Sequence, residues 1–478
     1  MKQVDARAPS VGTTMNTIGP QSLGDPQFMR DYGLRYAYLA GAMYKGIASR
    51  ELVIALGRAG SIGYLGTGGL QLHEIAANIE HIQRELRRNQ PYGMNLLRNF
   101  ERPDLEEATV DLYLQRDIRF VEAAGFVQIT PSVVRYRLKG IEEDARGEAR
   151  PRRRVLAKVS RPEVATAFMS PAPEPILQKL VASGALSETE ARLGRRVPVA
   201  QEICVEADSG GHTDRGVAFT LMPAMFSLRD EIQRRFGYCE PIRVGAAGGI
   251  GTPHAAAAAF AMGADFVLTG SINQCTVEAG TSDRAKDLLQ QLDVQDTAHA
   301  PAGDLFELGA KVQVVKRGLL FPGRANRLYE LYQRHQALEE LDDRTRQQLE
   351  RTYFRRTFDE VWAETRAYYA RTSPAKLAEA ESSPRQKMAL VFRWYFVHSS
   401  RLALQGSEEQ SVDYQIQCGP AMGAFNRWVR GTDLEPWRNR HVAVIAERLM
   451  HATAELLQAR FSAMSGQDAS RVARRALD

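Results

Sequence analysis

Only four of the 478 residues are cysteine, Cys204, Cys239, Cys275 and Cys418, and no two of them stand at metal-binding or redox spacing. A disulfide framework, a cysteine-based metal site and a thioredoxin-like motif are thereby excluded, and a chain of this length needs no covalent staples. Long apolar runs are missing too. The longest, residues 255–262, is alanine-rich and too short to span a bilayer, and the opening MKQVDARAPSVGTTMNTIGP has no stretch of secretory type. These absences predict a cytoplasmic chain with no metal and no membrane partner. Nor does one sign of charge prevail: 62 Lys and Arg against 57 Asp and Glu leave +5, too mild to announce nucleic acid. What is present, 44% hydrophobic and 25% charged residues with 38 Gly and 21 Pro, is the composition of a globular chain able to bury a large core.

Short apolar or β-branched runs bounded by glycine recur at residues 38–43, 62–66, 93–97, 126–130, 155–159, 203–207, 242–245 and 266–269. Helical periodicity separates most of them, at 49–58, 72–88, 111–124, 222–236 and 253–262. Eight strands alternating with helices predict an α/β fold, a closed parallel (β/α)8 TIM barrel, with an open doubly wound sheet as the competing topology. One connection is overlong. Residues 162–200 read as two short helices, with a capping box from Ser187 to Glu190, and are expected as an insertion over the barrel mouth. Beyond about Leu319 the pattern turns charged and helical, broken by one island, DYQIQCGPAMGAFNRW at 413–428. The expected division is an N-terminal extension over 1–35, a barrel over 36–318 with a helical insertion at about 162–200, and a helical C-terminal domain over 319–478. The basic run RPRRR at 150–154 precedes strand five, on the face of a barrel that serves stability.

Two glycine-rich turns follow strands seven and eight, GAAGGIG at 245–251 and TGS at 269–271. Glycine lets backbone amides approach an anion closely, and in barrels these two loops are the usual phosphate cradle. The first is no Rossmann fingerprint, because it falls late and no acidic residue ends a strand about 20 residues on. A mononucleotide such as FMN is the better inference. Strand six ends in EADSGGHTD, where Gly210 and Gly211 leave room for a planar ring and His212 reaches the mouth. Lys158, near the end of strand five, needs an anion if it is buried. That partner is either a cofactor or a protein carboxylate. Asn95 ends strand three, well placed for a ligand or a loop, and Met43 ends strand one as core or cofactor contact.

The runs VEADSGGHTD, VGAAGGIGTP and ADFVLTGSINQC, with APAGDLFELGAKVQVVKRGLLFPGRA and the 413–428 island, resemble the PfaD-type trans-acting enoyl reductases of polyketide and polyunsaturated fatty acid synthases. That family is similar in turn to the nitronate monooxygenases, and the match extends from about Gly19 to about Leu449. The resemblance implies an FMN-bearing barrel that uses NADPH to reduce the α,β double bond of an enoyl thioester on an acyl carrier protein. By position, Met43 and Asn95 are expected to contact the isoalloxazine and Lys158 the ring edge or ribityl chain. Gly210 and Gly211 are expected to line the flavin, Gly248, Gly249, Gly270 and Ser271 to hold its phosphate, and His212 to stand beside the reacting carbon. An acidic carrier protein calls for basic docking residues, for which Arg135, Arg137, Lys139, Arg324 and Arg327 are candidates. A homodimer is left open. The rival readings are a nitronate monooxygenase with the same flavin site, and a catalytically idle docking subunit of a synthase.

Overall fold

The computed structural model describes residues 17–465 except 88, 100 and 101. Eight parallel strands close on themselves: β1 (Tyr38–Ala40), β2 (Ile62–Leu65), β3 (Gly93–Leu97), β4 (Phe120–Ala124), β5 (Arg154–Val159), β6 (Glu202–Glu206), β7 (Arg243–Ala247) and β8 (Val267–Thr269), which pairs with β1. The register sets Asn95 beside Glu122 and Lys158 beside Cys204. Seven strands lie where the sequence puts them, and the fourth does not. The preceding helix runs Pro103–Gln115, Asp117 turns the chain at φ 51, and FVEAA at 120–124 forms β4. The expected strand at 126–130 is the loop after it. Ala and Glu are depleted in strands, so pairing with β3 and β5, rather than propensity, makes this segment extended.

Helix Pro26–Tyr32 closes the N-terminal end of the barrel. Phe28 stacks on Phe266 with centroids 4.7 Å apart, and Tyr32 stacks on Phe120 at 4.4 Å. Both belong to an apolar cluster with Leu39, Ile62, Tyr64 and Leu156 inside the barrel. The described part of the N-terminal extension is therefore a plug. Around it, Arg243 lies 2.8 Å from Asp31 and 3.0 Å from Glu202, while Arg154 lies 3.1 Å from each. Arg150 of the basic run pairs with Asp144 and Glu240, at 2.8 and 2.5 Å.

Residues 162–200 hold three helices, Pro162–Met169, Glu174–Ala182 and Glu188–Gly194, the last with the expected Ser187 capping box. The insertion does not cover the mouth. Its second and third helices pack on the outer helix Pro131–Leu138, where a side chain on Gly194 would collide with Leu138, and none of residues 173–199 lines the cleft above the strands.

The division expected at 318/319 also differs from the packing. A second core runs from Ala300 to Phe396, built by the hairpin β9 (Thr297–Pro301) and β10 (Lys311–Val315) with helices Phe321–Arg334, Phe358–Thr372 and Pro384–Gln405. Beyond it the chain returns to the barrel. Val442, Ile445 and Leu449 of helix Val442–Met464 join the core of Leu52, Ala256 and Ala259, and this helix packs beside Pro253–Met262 and Arg50–Arg58 as the last member of the wall. An amphipathic pattern shows that a face is buried but not which neighbour covers it. Among the described residues no helix is long and apolar enough to cross a membrane.

Candidate active site

The C-terminal ends of the strands open into a cleft of about 1990 Å³, bounded on its other side by the β9–β10 hairpin and helices Phe358–Thr372 and Pro384–Gln405. Met43, Asn95, Lys158, Gly210, Gly211, His212, Gly248, Gly249, Gly270 and Ser271 all line it. Ordinary ligand pockets hold roughly 300–1,000 Å³, so this cleft has room for two bound groups at once.

The turns after β7 and β8 are shaped by glycine. Gly248 and Gly249 have φ of +81 and +75, and a Cβ on Gly248 would stand 2.6 Å from the Ala207 carbonyl oxygen. A Cβ on Gly249 or Gly270 meets nothing within 4 Å, so it would occupy the cleft itself. The island at 413–428 crosses these turns from outside. Cβ atoms on Gly210 and Gly251 would lie 2.7 Å from Gly419 N and 2.3 Å from Ala421 O, and Ser271 Oγ accepts from the Gly419 amide at 3.0 Å. Gly210 is thus needed for contact between chain segments. Burial pushes the Cys418 thiol of the island up to about 12.

On the floor of the cleft three charges meet. Glu122 of β4 is fully buried; its Oε2 accepts from the Ala42 amide at 3.0 Å, and its Oε1 lies 3.8 Å from Lys158 Nζ. Lys158 is 3.3 Å from Glu206 of β6, and Asn95 Nδ2 donates to the Glu122 carbonyl at 3.1 Å. Burial holds the Glu122 carboxyl above its usual value, against the pull of Lys158. Burial works against the Lys158 ammonium as well, but Glu206 and Glu122 outweigh it and raise its pKa. The anion that Lys158 requires is therefore a pair of protein carboxylates. Glu122 went unrecognised in the sequence because its run reads as helix; a carboxylate within an apolar pentamer was the available signal.

His212 sits on a two-residue strand, Gly211–His212, paired to β10. Its side chain is 48% exposed, and Nε2 lies 2.9 Å from Asp304 Oδ1. Burial disfavours the charged imidazole, yet the hydrogen bond and charge of Asp304, followed by Glu206, prevail and lift its pKa above the ordinary histidine value. Asp304, in the GDLFELG stretch, was the second residue missed. Its neighbours in sequence gave no hint of a partner 92 positions away. The loop is braced by Thr213 donating to Asp208 at 2.8 Å and by Arg161 pairing with Asp214 at 2.8 Å.

The basic candidates fall elsewhere. None of Arg135, Arg137, Lys139, Arg324 and Arg327 lines the cleft. Arg137 is buried and donates to the Pro198 and Arg153 carbonyls, Arg135 pairs with Asp111, Lys139 with Glu190, Arg324 with Asp413 and Arg327 with Glu330. Sequence shows their charge but not the carboxylates and, for Arg137, the carbonyls that engage it.

Residues 29–302 match the nitronate monooxygenase family, and residues 335–414 match the inserted helical domain of [acyl-carrier-protein] S-malonyltransferase. The polyketide biosynthesis protein PksE of Bacillus subtilis (strain 168) is 56% identical over 447 residues, 94% of this chain and 58% of that protein. The polyketide biosynthesis protein ThaF of Burkholderia thailandensis is 53% identical over 460 residues, 95% of this chain and 39% of that protein. The chain thus spans about three-fifths and two-fifths of those relatives. The crystal structure of the enoyl reductase domain of MlnA, from the macrolactin biosynthesis cluster of Bacillus amyloliquefaciens, is 46% identical and superposes with a TM-score of 0.90, covering 93% of this chain and 99% of that one.

Proposed function

Because the chain belongs to the nitronate monooxygenase family, in its branch of PfaD-type enoyl reductases, we propose that it reduces the α,β double bond of an enoyl thioester on an acyl carrier protein, with bound FMN and with NADPH as reductant. The residues present fit such a cofactor. The open space over Gly249 and Gly270, into which a Cβ would project, suits a phosphate tail held by backbone amides, and the size of the cleft suits a ring with a reactant beside it. When bound, the flavin supplies the transfer of hydride from nucleotide to enoyl group.

The chain's own residues supply position and the proton. Gly248, Gly249, Gly270 and Ser271 would hold the phosphate, Met43 and Gly211 would border the ring, and Lys158, fixed between Glu122 and Glu206, would set a positive charge beside it. With Nε2 engaged by Asp304, Nδ1 of His212 is the nitrogen that hands a proton to the α carbon or donates to the thioester oxygen. An imidazole hydrogen-bonded to Asp304 and half open to the same cleft as the glycine turns is the observation that carries this reading. The test is anaerobic. Purified protein is expected to be yellow, to bleach with NADPH and to recover its colour on addition of a crotonyl thioester. A yellow protein that bleaches but never recovers with any enoyl thioester overturns the assignment.

The family model that covers the barrel favours one second reading, oxidation of a small nitronate by O₂. Oxygen uptake with a nitronate, absent enoyl turnover, selects it. An idle docking subunit predicts a colourless protein that takes up no FMN.

A further inference from the structure

Among the cations of the cleft that take no part in the chemistry above are Lys45 and Arg401. Lys45 follows β1, and Arg401 projects from helix Pro384–Gln405, so the pair spans the seam between barrel and helical layer. Among the described residues neither makes an ion pair, whereas Arg161 and Arg393 on the same walls are matched by Asp214 and Glu307. Burial first, and then the charge of Arg401, press the Lys45 ammonium below its usual value, and the charge of Glu74 opposes them. Two like charges that face one cleft, neither in an ion pair of its own, form an arrangement that an anion relieves.

Lys45 is also held where it is by construction. Its backbone lies at φ 49, ψ 39, the left-handed region that a side chain occupies only at a cost. Its amide donates to the Gly68 carbonyl at 2.8 Å, and that of Gly46 donates to Gly66 at 2.9 Å. A Cβ on Gly69 would lie 2.9 Å from Lys45 Cγ and 3.1 Å from Cε, so glycine there leaves the lane through which the methylene stem runs. Strain of this kind persists where the surroundings over-determine it, and it gathers at ligand clamps. Exposed Tyr44, Leu308, Tyr368 and Val397 line the same cleft, apolar surface for a slender arm leading to the charge.

We propose that Lys45 and Arg401 form a second anion site, separate from the glycine turns, that binds the phosphate ester of a mobile reactant. The proposal rests on the reductase reading for the reactants' identity. Under that reading two phosphate esters enter the cleft, that of a phosphopantetheine thioester and the 2′-phosphate of NADPH. Charge-assisted hydrogen bonds of this class are worth about ten- to a hundredfold in selectivity.

The test uses the double variant Lys45→Gly, Arg401→Gln, in which glycine relieves the left-handed backbone. The ratio of kcat/KM is measured for crotonyl-phosphopantetheine over crotonyl-pantetheine, and for NADPH over NADH. One of these ratios is expected to fall by about ten- to a hundredfold with flavin retained. A fall in the first assigns the site to the acyl arm, and a fall in the second assigns it to the nucleotide. Unchanged ratios, or loss of flavin, overturn the proposal. Arg401→Gln alone, on an exposed helix surface, gives an independent reading should the double variant melt early. If the parent reduces no enoyl thioester the reductase reading fails, but the anion site is still decided by calorimetric titration with pantetheine 4′-phosphate against pantetheine. A preference for the phosphorylated probe in the parent, lost in the variant, sustains the site, and no preference in the parent rejects it.

Discussion

The two ends of the barrel are built from the same eight strands and use charge in opposite ways. At the N-terminal end Arg154 and Arg243 are enclosed by Asp31 and Glu202, and an aromatic helix seals them from water. Each charge there has its complement, and nothing is left for a guest. At the C-terminal end Lys158 stands between two carboxylates, His212 has its pKa raised by one, and Lys45 and Arg401 repel each other. Where neutrality is complete, burial converts charge into rigidity; where it is withheld, charge remains to be used on something that enters.

That contrast can be broken from either end. The largest effect is expected of His212→Ala, which should slow enoyl reduction by about 10²–10⁴-fold while leaving the denaturation midpoint in place. Steady-state rates set beside a chemical melt check it, and a large loss of stability would make His212 part of the scaffold. Glu202→Ala is the mirror image. Stripping Arg154 and Arg243 of a buried partner should cost about 3–5 kcal/mol in denaturant titration, with turnover per folded molecule preserved. Gly248→Ala should be smaller, about 1–3 kcal/mol of local strain from a positive φ and contact with the Ala207 carbonyl, read as flavin released into an ultrafiltrate before global unfolding moves.

The finest test concerns pH. Because Asp304 raises the pKa of His212, protonation-dependent turnover should persist above the ordinary histidine range and fall as pH rises through that raised pKa. Asp304→Asn should move this fall to lower pH. The same linkage stabilises the fold: it is fully present below the unfolded histidine pKa of about 6.5 and is lost as pH rises through the folded value, so the variant should lose stability on the acid side only. A pH–rate profile indifferent to the substitution would detach Asp304 from His212.

Local pattern made much of this legible. The glycine turns, the position of His212 and seven strands could be read because each depends on residues adjacent in sequence. Glu122, Asp304 and Arg401 could not, since each acquires its partner only when distant segments meet: β4 against β5, the β9–β10 hairpin against the β6 loop, and helix Pro384–Gln405 over β1. The insertion at 162–200 was rightly read as helical and wrongly placed, because its capping residues state where a helix begins and nothing about what it leans on.

Helix Val442–Met464 has a consequence for how the molecule is made. The gap between Pro253–Met262 and Arg50–Arg58 waits until a partner encoded nearly two hundred residues later has left the ribosome. Until then the growing polypeptide carries a naked alanine-lined groove, and the intervening helices must fold as a satellite tethered to an unfinished cylinder. Closure of the barrel is thus postponed until that helix has been made, and a ribosome stalled before it emerges would present chaperones with a barrel one stave short.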